Sequence, residues 1–127
     1  MLGCGESHSD KKAPLKNATS TVSRQDFSPA IRKILCLHGG VGDFKEFENS
    51  FGVKAIRRAL GRNYELVFAQ APHGGLWMRD SLEGKSKPTA DPDWASQSIS
   101  ILNSIVQVQG LFYGIMGCSQ SAAFIPV

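Results

Sequence analysis

The stretch from Gly117 to Ser121 constrains the fold of this chain more than any other, because it joins an apolar run to a pair of alanines. This order predicts a strand, a sharp turn and a helix. Such a turn lifts the hydroxyl of its central residue, Ser119, clear of the sheet and aims the start of the helix at a developing negative charge. Ser119 is therefore the candidate nucleophile.

The turn has small residues where crowding requires them, two places before and two places after the serine. Gly117 and Ser121 occupy these places. Ser121 replaces the usual glycine and lacks the freedom of glycine at positive φ. Glycine and serine are also common in ordinary turns, so the pattern has a purely structural interpretation. Cys118 is a competing nucleophile, but its place before the apex predicts a buried side chain that packs as a small hydrophobe.

Composition narrows the classes of protein to which the chain can belong. Its 127 residues, 42% hydrophobic and 20% charged, predict at most one globular domain. A net charge of +3 is too small to indicate nucleic-acid binding, and no apolar stretch is long enough to predict a membrane span. Three cysteines without paired spacing indicate a reducing compartment and hence a cytoplasmic location. No zinc-ligand pattern occurs, so no metal or cofactor is predicted.

Two regions are predicted from the local composition. Residues 1–30 are rich in Ser, Thr, Lys and Asp and lack the apolar segment of a signal peptide, so they are expected to form a disordered tail. Residues 31–127 are expected to form the folded domain. Its strands are predicted from three short apolar runs, which are Ile31 to Leu37, Glu65 to Ala69 and Leu111 to Met116.

Helices are predicted between these strands. Apolar residues recur at helical spacing from Phe44 to Leu60, with a break near Gly52, and again in the segment that starts at Asp91-Pro92. Gly61 and Gly110 are predicted to end the two helical segments. Residues 70–89 contain too many glycines and prolines for a regular element, so we expect a long loop at the rim of a binding site.

Strands that alternate with helices predict an α/β fold with a parallel sheet. We expect the spatial order second, first, third strand, which places the loop His38 to Gly42 beside the turn at Ser119. This loop does not match a nucleotide site. Asp43 follows the last glycine where a phosphate loop requires lysine, and Lys45 stands where a dinucleotide site requires its third glycine.

The chain from Ile31 to about Phe124 resembles the α/β-hydrolase fold and, within it, the group called the family of serine hydrolases (FSH). Four stretches in the family's order carry the resemblance: KILCLHGG, the phenylalanine-led helix through RRALG, YELVFAQAPH and GIMGCSQSAA. The resemblance implies a partial α/β-hydrolase fold of three parallel strands flanked by helices. It also implies a serine hydrolase that cleaves a small-molecule carboxylic ester or thioester.

The resemblance assigns a role to each residue of the site. Ser119 attacks the carbonyl carbon, and the backbone N–H groups of Gln120 and Gly40 bind the oxyanion. His38 is structural, because its ring anchors the oxyanion loop. Gly117 and Ser121 are structural residues of the turn.

The acid and the base of this fold follow the nucleophile in the order Ser, Asp, His, but no Asp, Glu or His follows Ser119. His73 lies at the correct end of the sheet, although the family does not use this position as the base. We therefore expect the N-terminal part of a longer serine hydrolase, with an incomplete triad and little activity alone. The alternative is a truncated, non-catalytic remnant that binds an acyl ligand or a protein. In both cases the strand 111–116 would be an exposed edge suited to self-association.

Overall fold

Three parallel strands form the centre of the fold in the computed structural model, which describes residues 29–85 and 87–125. They are β1 (Arg32–Leu37), β2 (Tyr64–Ala69) and β3 (Gly114–Gly117), in the spatial order β2-β1-β3. Both neighbours of β1 run parallel to it. The predicted α/β class and the predicted strand order are confirmed. Nearly all of the predicted tail lies outside the described residues.

Helices flank this sheet at the positions that the sequence patterns indicate. They are α1 (Phe44–Asn49), α2 (Phe51–Leu60), the single turn α3 (Pro72–Gly75), α4 (Ser96–Gln109) and α5 (Gln120–Phe124). The break predicted near Gly52 lies at Ser50, whose hydroxyl accepts a hydrogen bond from Val53 N at 3.3 Å and caps α2. Within the described ranges, none of these helices has the length and apolar character needed to cross a bilayer.

Alternate residues of the strands pack against helices on opposite faces of the sheet. Leu35 and Leu37 of β1 are buried in a cluster with Ala69, Trp77 and Phe124, and residues of α4 pack against this cluster. On the other face, the ring of Phe47 in α1 meets the ring of Phe68 in β2 with the ring centres 6.1 Å apart. Side chains with a period of two thus cover both faces of β1 and β2, as a buried parallel sheet requires.

The predicted start of a helix at Asp91 is wrong, because α4 begins at Ser96 and the residues before it form turns. The Asp91 carboxylate accepts a hydrogen bond from Asp93 N at 2.9 Å, which is a local alternative to a helical turn. Arg79 binds the backbone carbonyls of Asp93 and Trp94. Its backbone N–H donates to Trp94 O at 2.9 Å and its guanidinium donates to Asp93 O at 3.0 Å. These carbonyls are therefore engaged outside the helix.

The third strand is shorter than the predicted run from Leu111 to Met116. In the register of the sheet, Gly114 lies opposite Ile34, so Leu111 would lie opposite Ile31, which precedes β1. Leu111 has no strand partner there and is 94% exposed. Phe112 turns instead toward the core. Within the described part of the sheet, β3 lies at an edge.

Candidate active site

Ser119 lies between the end of β3 and the start of α5, and its side chain is exposed. Its backbone has φ 53° and ψ −123°. This conformation is sparsely populated for a residue with a Cβ, so the surrounding structure must hold it. The sequence predicted a sharp turn here, and the chain turns from strand to helix within two residues.

Close packing accounts for the small residues on both sides of this turn. A Cβ on Gly117 would lie 2.6 Å from Ser121 Oγ and 2.8 Å from Ile125 Cδ1, so a larger residue would not fit. Ser121 is fully buried. Its hydroxyl accepts a hydrogen bond from Cys118 N at 2.8 Å and lies 2.9 Å from Leu37 O, to which it can donate. The hydroxyl therefore links the turn to the end of β1, which a glycine at this position could not do.

The loop after β1 lies directly against the turn. A Cβ on Gly39 would lie 3.4 Å from Ser119 Cβ, and one on Gly40 would lie 3.2 Å from Gln120 Cβ. Among the residues that the structure describes, the backbone N–H groups of Gly40 and Gln120 donate no hydrogen bond. Two N–H groups without an internal acceptor thus belong to residues that surround Ser119.

His38 holds this loop from inside the protein, where it is 1% exposed. Its Nε2 accepts a hydrogen bond from Ala71 N at 3.0 Å, so this nitrogen carries no proton. Nδ1 therefore carries the ring proton and donates it to Gly39 O at 2.6 Å. Because both ring nitrogens are engaged with the backbone, neither is free to act as a base toward Ser119.

The segment after β2 closes the site from the other side. Trp77 is completely buried, and its indole N–H donates to His38 O at 2.8 Å. Its backbone N–H donates to Gln120 Oε1 at 2.9 Å, and Gln120 Nε2 donates to Met78 O at 3.2 Å. The Ser98 hydroxyl donates to Trp77 O at 2.6 Å. No sequence motif indicates the roles of Trp77 and the Gln120 side chain, although the apolar triplet at 76–78 is a signal of burial.

A cleft of about 470 Å³ opens over Ser119. Its walls come from the loop after β1, the segment after β2 and α5, and the lining residues are Gly40, Val41, Leu76, Met78, Asp80, Lys85, Ser119, Gln120 and Ala123. The predicted rim segment thus supplies four of these side chains. His73 is exposed and is not one of the described residues that line the cleft. No cluster of three or more His, Cys, Asp or Glu suited to a metal occurs in the described ranges.

The predicted burial of Cys118 is wrong, because this thiol is exposed. It lines a second, apolar cleft of about 240 Å³ between the end of β3 and helices α1 and α2, together with residues such as Phe47, Val53 and Met116. The reason is the position of β3 at the edge of the described sheet, where no further strand covers its end.

The two cysteines of the described domain are expected to differ sharply in reactivity. Cys36 is completely buried in β1, and this burial raises the pKa of its thiol to about 11, partly offset by the charge of Arg57. Because the thiolate is the reactive form, iodoacetamide at about pH 8 should alkylate Cys118 and spare Cys36. Intact-mass analysis of a Cys4→Ser variant should show one added group, and rapid modification of Cys36 would contradict this expectation.

Two proteins named as esterases are similar to this chain. It is 28% identical to one from Drosophila pseudoobscura pseudoobscura over an alignment of 133 residues, gaps included. The alignment covers 90% of this chain and 45% of that protein. It is 26% identical to one from Drosophila melanogaster over an alignment of 114 residues, gaps included. This alignment covers 73% of this chain and 39% of that protein. No family model and no solved structure matches the chain significantly. The chain thus spans less than half the length of these curated relatives.

Proposed function

We propose that this chain carries the nucleophile and the oxyanion site of an FSH-type serine hydrolase that cleaves carboxylic esters or thioesters. The backbone of Ser119 carries the proposal, because a non-glycine residue is held at φ 53° between a strand and a helix. Such strain costs about 1–3 kcal/mol and is found where it serves a site. A nucleophilic serine is presented in this way in hydrolases with a strand-turn-helix elbow.

In the proposed reaction, Ser119 Oγ forms a bond to the carbonyl carbon while its proton passes to a general base. The carbonyl π electrons move onto oxygen, and the N–H groups of Gly40 and Gln120 bind this oxyanion. Each donor of this kind contributes about 2.7–4 kcal/mol to transition-state stabilisation. The alcohol or thiol then leaves with the proton, and water hydrolyses the acyl ester on Ser119 to release the acid.

The described residues do not provide a histidine for the role of base. Both ring nitrogens of His38 are engaged, and His73 is absent from the lining of the cleft. The chain resembles a fold in which the acid and base follow the nucleophile, and it covers less than half of each esterase that it matches. We therefore propose that a longer form of the protein supplies these two residues. Residues 1–127 alone should then turn over esters slowly.

A fluorophosphonate tests the nucleophile without a full catalytic cycle. Ser119 Oγ forms a bond to phosphorus, the P–F bond breaks, fluoride leaves and solvent takes the hydroxyl proton. We expect one slow adduct on Ser119, because the oxyanion N–H groups can stabilise the phosphoryl oxygen even when the base is missing. Peptide mass spectrometry locates the adduct. Ser119→Ala should abolish it, while Ser104→Ala, at an exposed serine of α4, should leave it unchanged.

Two results would contradict parts of this proposal. Adducts spread over several exposed serines and unaffected by Ser119→Ala would contradict the nucleophile and favour a non-catalytic, ligand-binding chain. Rapid ester turnover by residues 1–127 that Ser119→Ala abolishes would keep the nucleophile but contradict the absence of a base. His73→Ala would then show whether that histidine acts as the base.

A further inference from the structure

Trp77 connects the two chain segments that carry the oxyanion N–H groups of the proposed site. Its indole N–H binds the carbonyl of His38, which lies two residues before Gly40, at 2.8 Å. Its backbone N–H binds Gln120 Oε1 at 2.9 Å, and the same side-chain amide donates to Met78 O at 3.2 Å. One buried residue is therefore hydrogen-bonded both to the loop after β1 and to the first residue of α5.

Trp77 is itself fixed on several sides. Its ring stacks on Phe124 with the ring centres 6.1 Å apart and the planes 16° apart, and the His38 ring centre lies 5.3 Å away. The buried hydroxyl of Ser98 donates to its carbonyl at 2.6 Å. The side chain of Gln120, which is hydrogen-bonded to Trp77, is thus attached to a rigid part of the core.

The amide of Gln120 lies against the backbone of Gly40. A Cβ on Gly40 would lie 3.3 Å from both Cδ and Oε1 of Gln120, so this side chain fills the space that a residue other than glycine would need. Helix α5 has only five residues and no side-chain cap at its start. The position of its first N–H, on Gln120, therefore depends on contacts outside the helix.

We propose that the side chain of Gln120 is a positioning residue, which sets the distance between its own backbone N–H and that of Gly40. We call the side-chain amide with its two bonds, to Trp77 N and to Met78 O, the Gln120 clamp. The inference rests on the proposed function and adds a role for a side chain to it. Oxyanion donors act only within a narrow range of distance from the oxygen that they bind. A clamp that fixes the position of one donor relative to the other therefore affects the reaction more than folding.

Gln120→Met tests the clamp, because methionine has a similar length but forms neither hydrogen bond, and the backbone N–H remains. We expect the rate of fluorophosphonate addition to Ser119 to fall at least about tenfold, since small displacements at a reacting centre are costly. Alkylation of Cys118, an exposed thiol one residue away that needs no oxyanion site, should change less than about twofold. Gln107→Met, at an exposed glutamine of α4, is the matched control and should match the wild type in both reactions.

Gln120→Glu provides a rescue that a purely structural role would not show. A protonated carboxyl group can donate to Met78 O and accept from Trp77 N, whereas a carboxylate can only accept. The labelling rate of this variant, divided by the wild-type rate at the same pH, should therefore rise as the pH falls through about 4.3, the ordinary pKa of a glutamate. Gln120→Met should show no such recovery.

The outcomes separate the clamp from the proposed function. If Gln120→Met labels at Ser119 as fast as the wild type, the clamp is overturned and the nucleophile stands. If the wild type forms no Ser119 adduct, the proposed function fails and the clamp fails with it. If Gln120→Met also exposes the buried Cys36 to alkylation, that variant has unfolded. The clamp is then tested by Gln120→Glu, and it is overturned if the labelling rate of this variant relative to the wild type does not change with pH.

Discussion

Replacing Trp77 with alanine is expected to lower the free energy of unfolding by about 3–5 kcal/mol, the range found when a buried aromatic side chain is truncated in a core. Trp77 is completely buried and stacks on Phe124. The substitution would also leave the buried carbonyl of His38 without its indole donor, and an unpaired buried polar group adds about 1–3 kcal/mol. A domain of ordinary stability, with about 5–15 kcal/mol in total, would lose a large share of it.

Urea unfolding followed by far-UV circular dichroism measures this effect. Leu82→Ala is the control, because Leu82 belongs to the same segment between β2 and α4 but is fully exposed, and its truncation should change stability by less than about 0.5 kcal/mol. Trp77→Phe should lie between the two, since phenylalanine keeps the ring packing but removes the indole N–H. A Trp77→Ala variant as stable as Leu82→Ala would show that this segment is not part of the core.

The sequence predicted those parts of the fold that depend on local pattern. Runs of apolar residues located the strands. The break between α1 and α2 was predicted near Gly52, but it lies at Ser50, which caps α2, and Gly52 itself is helical. The strand order was expected from the hydrolase resemblance, in which the loop after Leu37 lies beside the turn at Ser119. These predictions succeed because each rests on a few adjacent residues or on one simple rule of topology.

The remaining features depend on contacts between distant parts of the chain. The prolines and glycines of residues 70–89 indicate turns, but they do not show that Trp77 inserts between His38 and Phe124. Helix α4 begins only at Ser96, and the carbonyl of Asp93 before it accepts a hydrogen bond from the distant side chain of Arg79. The burial of Cys118 failed as a prediction for a similar reason, because the exposure of a residue at a strand end depends on whether another strand lies beside it.

The edge of β3 is expected to make residues 1–127 self-associate. This strand has a partner only on the β1 side in the described part of the sheet, so its other side presents unpaired N–H and C=O groups. Apolar side chains near it are exposed, and these are Val108 at 85%, Leu111 at 94%, Tyr113 at 65% and Ile115 at 44%. Natural edge strands are usually protected by a charge, a proline or a bulge, but GIMG has neither charge nor proline. Pairing of β3 with β3 of a second copy would satisfy these groups.

Ile115→Lys separates this expectation from a general loss of stability. A lysine in place of Phe112 would disturb the core, against which Phe112 packs, whereas Ile115 is a partly exposed residue of β3 itself. In sedimentation velocity at micromolar concentration, the wild type should contain dimers or larger species, and Ile115→Lys should sediment mainly as a monomer. Leu82→Lys adds the same charge at an exposed leucine outside the edge, so it should sediment like the wild type. A wild-type chain that is monomeric and unfolds cooperatively would contradict the expectation, because the edge would then be protected without a second copy.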